Sequence, residues 1–175
     1  MKKSTHFSLT VLAVIVGISS FIAIAAGIGL WQFSGSAKTA PDVTFTSLTG
    51  EKTTMQDLRG KVVLVKFWAT SCVTCIAQMP DTIKHYQDLS PKGFDTIAVA
   101  MQYDPANYVK NYAETRHLPF PVVIDAQGEL AKAFGDVQLT PTAFLIDKQG
   151  HIIKRYLGNY DEQAFIDTVN KALAS

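Results

Sequence analysis

Charge is the first thing missing. Between Phe7 and Ala37 there is no Asp, Glu, Lys or Arg, and most of that stretch is apolar. A helix that spans a membrane needs roughly 20 apolar residues, and Leu9 to Leu30 supplies them. A cleaved leader would use a small-residue site such as Ala23-Ile24-Ala25 or Gly35-Ser36-Ala37, but its apolar stretch usually covers only about 7–15 residues. The segment therefore reads as an uncleaved anchor. Lys2 and Lys3 precede it and only Lys38 follows at a distance, so the positive-inside bias keeps the N-terminus in the cytoplasm. Residues 1–37 are then a cytoplasmic stub, one transmembrane helix and the start of a tether. Residues 38–175 form a domain on the outer, periplasmic face of a bacterial cytoplasmic membrane. An excess of either charge is missing too. The chain has 16 Lys and Arg against 15 Asp and Glu, and setting aside Lys2 and Lys3 leaves 14 against 15 in the exported part. That balance offers no basic footprint for nucleic acid and no field for a strongly charged substrate. Internal repeats and low-complexity tracts are absent as well.

What remains alternates strand-like and helix-like patterns, which argues for an α/β sandwich of helices around a sheet. Thr44 to Leu48 and Lys52 to Met55 flank Thr49-Gly50-Glu51 and predict an N-terminal β-hairpin. Val62 to Trp68 is apolar on both faces except at Lys66, as a central buried strand should be. Phe94 to Met101 and Phe120 to Ile124 are further strands. Ala143 to Ile146 and His151 to Leu157 predict an antiparallel pair around Asp147-Lys148-Gln149-Gly150. Three helical stripes lie between and after the strands: Ile76, Met79, Ile83 and Tyr86; Val109, Tyr112 and Ala113; and Phe165, Ile166, Val169 and Leu173. Pro80 is expected to kink the first helix.

Cysteine is scarce. Cys72 and Cys75 are the whole complement, spaced C-x-x-C between a buried strand and a helix. Two thiolates make half of a tetrahedral metal set, and His6, His85, His117 and His151 are scattered without ligand spacing. A bridge between them closes so short a loop that it adds only about 2 kcal/mol to a fold. Redox exchange is the use that suits the pair. The first turn of a helix carries unpaired N–H groups and positive partial charge, which favour thiolate over thiol. Cys72 sits there and reads as the exposed nucleophile; Cys75, one turn in, reads as the buried resolving thiol. Thr140-Pro141-Thr142 stands ahead of the Ala143–Ile146 strand. A cis Thr140–Pro141 bond facing the disulfide is expected, leaving the Thr140 backbone free to pair with an extended substrate segment.

The run Phe67-Trp68-Ala69-Thr70-Ser71-Cys72-Val73-Thr74-Cys75, then Met79-Pro80, then Thr140-Pro141-Thr142-Ala143-Phe144-Leu145-Ile146-Asp147 resembles the TlpA/ResA/CcmG group of anchored thioredoxin-like reductases. The resemblance covers roughly Pro41 to the C-terminus. It implies a thioredoxin-like three-layer sandwich, with a central mixed sheet, flanking helices, the N-terminal hairpin and a central insertion over Asp104–His117. It implies Trp68, Thr140 and Pro141 beside the cysteines, and no cofactor other than the Cys72–Cys75 disulfide itself. Its substrates are disulfides of exported proteins such as apocytochrome c or copper-site proteins, and its electron donor is a membrane thiol transporter. Three positions depart from the group. Ser71 replaces a tryptophan, Gln78 replaces the glutamate of cytochrome-maturation members, and Lys66 stands where thioredoxins carry a buried aspartate.

Lys66 has two readings: a stem that packs on the sheet while its ammonium snorkels to water, or an amine that acts on Cys75 by charge or as a base. Val73-Thr74 places no cation between the cysteines, which points to a reducing couple. A disulfide oxidase with a quinone-linked partner is the alternative direction. The alternative class is a Cu(I) carrier, since soft thiolates suit that ion; it requires His117 or His151 to approach Cys72.

Overall fold

The computed structural model describes residues 38–175, and the anchor expected over residues 1–37 lies outside them. Among the described residues no helix is long and apolar enough to cross a membrane. The N-terminal hairpin forms as expected, from β1 (Thr44–Thr46) and β2 (Lys52–Thr54), a small antiparallel sheet of its own. Its turn leans on the main sheet, with the Leu48 N–H donating to the Val122 carbonyl at 2.9 Å.

Five strands make the main sheet: β3 (Val62–Trp68), β4 (Phe94–Ala100), β5 (Val122–Ile124), β6 (Thr142–Ile146) and β7 (Ile152–Leu157). Their order is β5-β4-β3-β6-β7. β3 runs parallel to β4 and antiparallel to β6, so the sheet is mixed. Every residue of β3 is buried, because a central strand covered on both faces has no solvent side. β5 starts two residues later than the Phe120–Ile124 pattern suggests. Pro121 has no N–H to give the ladder, although its carbonyl still accepts from the Ala98 N–H at 3.0 Å.

Four helices follow these strands: α1 (Val73–Leu89), α2 (Ala106–Thr115), α3 (Glu129–Ala133) and α4 (Glu162–Ala174). α1 continues through Pro80, which lies on its exposed side. α3 has no counterpart among the sequence patterns, since five residues are too few to show a helical period. It is held from outside, where the buried Asp125 carboxylate accepts from the N–H groups of Leu130 and Ala131 at 3.1 and 2.8 Å.

The sheet separates two apolar layers. On one face Val63, Val65, Phe67, Val99 and Phe144 pack with Phe45 of the hairpin and with Leu130 and Phe134 around α3. On the other, Val62, Leu64 and Leu145 pack with Phe165 and Val169 of α4, while Trp68, Ala98 and Ala100 pack with Met79 of α1 and Val109 of α2. Each of the Val, Leu, Phe and Met side chains among them contributes about 1.5–3 kcal/mol when fully buried. The same alternation puts Lys66, like Leu64 and Trp68, on the α1 side of the sheet.

Candidate active site

β3 ends at Trp68, and the chain turns through Ala69-Thr70-Ser71 into α1 with Cys72 as the N-cap. The Cys72 backbone is extended, and its sulfur accepts from the Cys75 N–H at 3.2 Å. Cys72 and Cys75 are joined by a disulfide, with their Cα atoms 5.2 Å apart. Cys72 is half-buried and Cys75 fully buried. The first turn of α1 contains no acidic residue, so nothing there offsets the positive end of the helix. The helix terminus and the sulfur that benefits from it therefore coincide at Cys72.

Trp68 forms the floor of the site. It is fully buried, packs against the Tyr112 ring at 5.3 Å, and shares an apolar cluster with Cys75, Met79 and Phe120. The Thr140–Pro141 bond is cis. The register sets Phe67 opposite Thr142, which brings Pro141 opposite Trp68, to the end of the sheet where Cys72 begins α1. Trp68, Thr140 and Pro141 thus lie at the same end of the sheet as the start of α1.

Three residues that the sequence patterns passed over complete the frame. Asp104, only 4% exposed, accepts from both the N–H and the hydroxyl of Thr70, each at 2.6 Å. It pins the turn two residues ahead of Cys72. Its neighbour Tyr103 sets its hydroxyl 3.2 Å from that of Thr140, so one loop ties both halves of the site. Gly158, after β7, donates its N–H to the Pro141 carbonyl at 2.9 Å and has φ +72°, a conformation that favours glycine. The signal for Asp104 is faint in sequence, because nothing in its neighbourhood marks that carboxylate for burial.

Lys66 does not snorkel. It is 0% exposed, and its ammonium donates to Gln78 Oε1 at 3.0 Å and Thr82 Oγ1 at 3.1 Å beneath α1. The Tyr160 ring centroid lies 5.9 Å from Nζ. The stem of a residue in the middle of a covered strand ends under a helix, with no route to water. Burial lowers the lysine to about 8, and the charge of Asp81 pulls it back only in part. Among the described residues no carboxylate forms a salt bridge with it.

The two histidines of the copper reading have settings of their own. Among the described residues no three His, Cys, Asp or Glu side chains gather into a metal-holding group. His151 Nδ1 lies 3.3 Å from Asp147 Oδ2, and the exposed His117 closes α2.

The Redoxin family model matches residues 35–173. The chain belongs to that family. This redoxin is 34% identical over 173 residues to the thiol-disulfide oxidoreductase ResA of Bacillus cereus, covering 98% of both chains. It is 35% identical to the thioredoxin-like protein YneN of Bacillus subtilis over 123 residues, 68% of this chain and 69% of that one. Its fold matches the crystal structure of a thiol:disulfide interchange protein of the thioredoxin family from Chlorobium tepidum, with a TM-score of 0.73 and 28% identity over 80% of this chain and 99% of that one. With a CxxC disulfide at the head of a helix, this redoxin is a thiol–disulfide oxidoreductase. Its redox group is its own cysteine pair, and it acts on disulfide-containing substrates.

Proposed function

We propose that this redoxin is a membrane-anchored reductase that delivers electrons to cysteine pairs of exported proteins, with Cys72 as nucleophile and Cys75 as resolving thiol. The observation that carries the division of labour is the contrast at the head of α1. Cys72 is reachable and its sulfur receives the Cys75 N–H, whereas Cys75 is sealed beneath. A thiolate at Cys72 attacks one sulfur of the substrate disulfide and releases the other as a thiol. Cys75 then attacks Cys72 Sγ, closes the disulfide seen here and releases the second substrate thiol. Two electrons pass from the cysteine pair to the substrate. Val73, 83% exposed, Leu139, 63% exposed, and Tyr103 offer an apolar rim to an extended segment, and the Thr140 backbone offers a strand-like edge.

The reducing direction is supported by the neutral Val73-Thr74 pair between the cysteines. A donor is then required on the outer face, and a membrane thiol transporter supplies it. Residues 1–37 hold the domain at the bacterial cytoplasmic membrane with its C-terminus in the periplasm. The test is a trap. Cys75→Ser should leave a disulfide between Cys72 and the substrate protein that the wild type resolves, and Cys72→Ser should leave none. In the reduced wild type, alkylation at mildly acidic pH should reach Cys72 far ahead of Cys75. Equal labelling, or trapping through Cys75, would overturn the roles. A reporter active only outside the cytoplasm, fused after Ser175, should work in the membrane fraction; a soluble shortened form would overturn the anchor.

A further inference from the structure

The exchange steps above leave unused a lysine buried beneath the redox helix. Cys75, Gln78 and Thr82 stand at i, i+3 and i+7 of α1, a spacing that lines one helical face. Lys66 Nζ rests against the second and third of them. The amine is therefore packed under the same stripe that carries Cys75, between about 4.5 and 10.5 Å along it at 1.5 Å of rise per residue. Gln78 is itself held, its Nε2 donating to the Gly158 carbonyl at 3.2 Å and to Asn159 Oδ1 at 3.1 Å. Those bonds point its oxygen, a neutral acceptor, at the lysine.

We propose that Lys66 and Gln78 form a redox-linked proton site, in which reduction of the Cys72–Cys75 disulfide draws a proton onto Lys66 and the neutral Gln78 lets it leave again. The inference rests on the thiol–disulfide exchange assigned above and adds the destination of a proton. When a dithiol reduces the protein, it loses two electrons and two protons and becomes a disulfide. The Cys72–Cys75 bond breaks, and the pair of electrons leaves one thiol and one thiolate. The thiol takes the first proton. Above about pH 8, where the oxidised protein holds the amine neutral, the second goes to Lys66, because a new negative charge at the head of α1 favours the ammonium nearby. When a substrate disulfide is reduced in turn, both protons go with the electrons to its two thiols.

The surroundings support a site that can switch. From α1 the only nearby formal charge is Asp81; β4 and β6 present Ala98 and Ala143 beside Lys66. From β7 and the following loop come Tyr156 and Tyr160, and at the head of α4 Glu162, itself 3.2 Å from His85 of α1. Tyr160 is pushed up to about 12 by burial, so it stays neutral while the lysine titrates around 8. A glutamate in place of Gln78 would pair with the ammonium and keep it protonated in both redox states.

The experiment is the equilibrium of the full chain with a dithiothreitol redox buffer from pH 7 to 10, in wild type, Lys66→Met and Gln78→Glu. The wild type should take up one more proton per two electrons than either variant just above pH 8. Its equilibrium constant should then change up to tenfold more per pH unit, 29.6 mV for a two-electron couple. Gln78→Glu keeps the lysine, so the result does not depend on Lys66→Met folding. A second reading is the nuclear magnetic resonance titration of the Lys66 side chain in oxidised and reduced protein. Its midpoint should be higher in the reduced form. Equal midpoints, or parallel pH slopes in all three proteins, would overturn the proton site. Absence of any exchange with dithiothreitol in the wild type would instead overturn the oxidoreductase reading itself.

Discussion

Asp104 shows how much one side chain outside the CxxC run controls. Its two oxygens hold the Thr70 N–H and hydroxyl at 2.6 Å each, and Thr70 fixes the approach to Cys72. Asp104→Asn keeps the size but turns one acceptor into a donor facing donors. Hydrogen bonds to a charged acceptor contribute about 1.5–3 kcal/mol each, so urea unfolding should show a loss of that order. Insulin reduction with dithiothreitol should slow by about tenfold, because small misplacements of a reacting group cost rate steeply. An unchanged rate at reduced stability would mean that Asp104 serves the fold alone.

At the scale of elements, α2 ends in a way that assigns His117 a structural place. The Leu118 N–H reaches the Ala113 carbonyl at 3.0 Å, and the His117 N–H reaches the Glu114 carbonyl at 3.2 Å. This is the Schellman arrangement, whose left-handed residue is usually glycine. Here it is His117 at φ 50°. A side chain in that conformation costs about 1–2 kcal/mol, while glycine costs about 0.5–1 kcal/mol in lost chain entropy. His117→Gly should therefore raise stability by roughly 0.5 kcal/mol, read as a higher urea midpoint, with exchange activity unchanged. A lower midpoint would show that the imidazole makes a stabilising contact that outweighs the strain.

For the whole molecule, the buried charge makes stability depend on pH in an unusual direction. An unfolded lysine titrates near 10.4, whereas Lys66 in the fold titrates at about 8. Between those values the unfolded chain binds more protons, so stability rises with pH. Below pH 8 the ammonium is charged in both states and the full burial cost applies. Oxidised protein should gain about 2 kcal/mol between pH 7 and pH 9.5, and Lys66→Met should be more stable at pH 7 and nearly flat over that range. Urea unfolding at the two pH values decides it; a parallel rise in the variant would trace the effect to other groups. Above pH 10 the raised Tyr160 reverses the trend, since the unfolded chain then loses protons first.

Local pattern decided the strands of the main sheet, the hairpin, three of the four helices and the placing of Cys72 at a helix head. Each of these follows from periodicity or from turn residues that act over a few positions. The contrast in exposure between the two cysteines follows from one helical turn and was legible for the same reason. Tertiary packing decided what short-range pattern cannot carry. Asp104 meets Thr70 across 34 residues and Gln78 meets Gly158 across 80, and no local rule pairs them. Lys66 is the clearest case. Its stem suits a strand surface or a buried strand equally well, and only the helix laid over β3 closes its path to water and turns it from a solvated cation into a buried one.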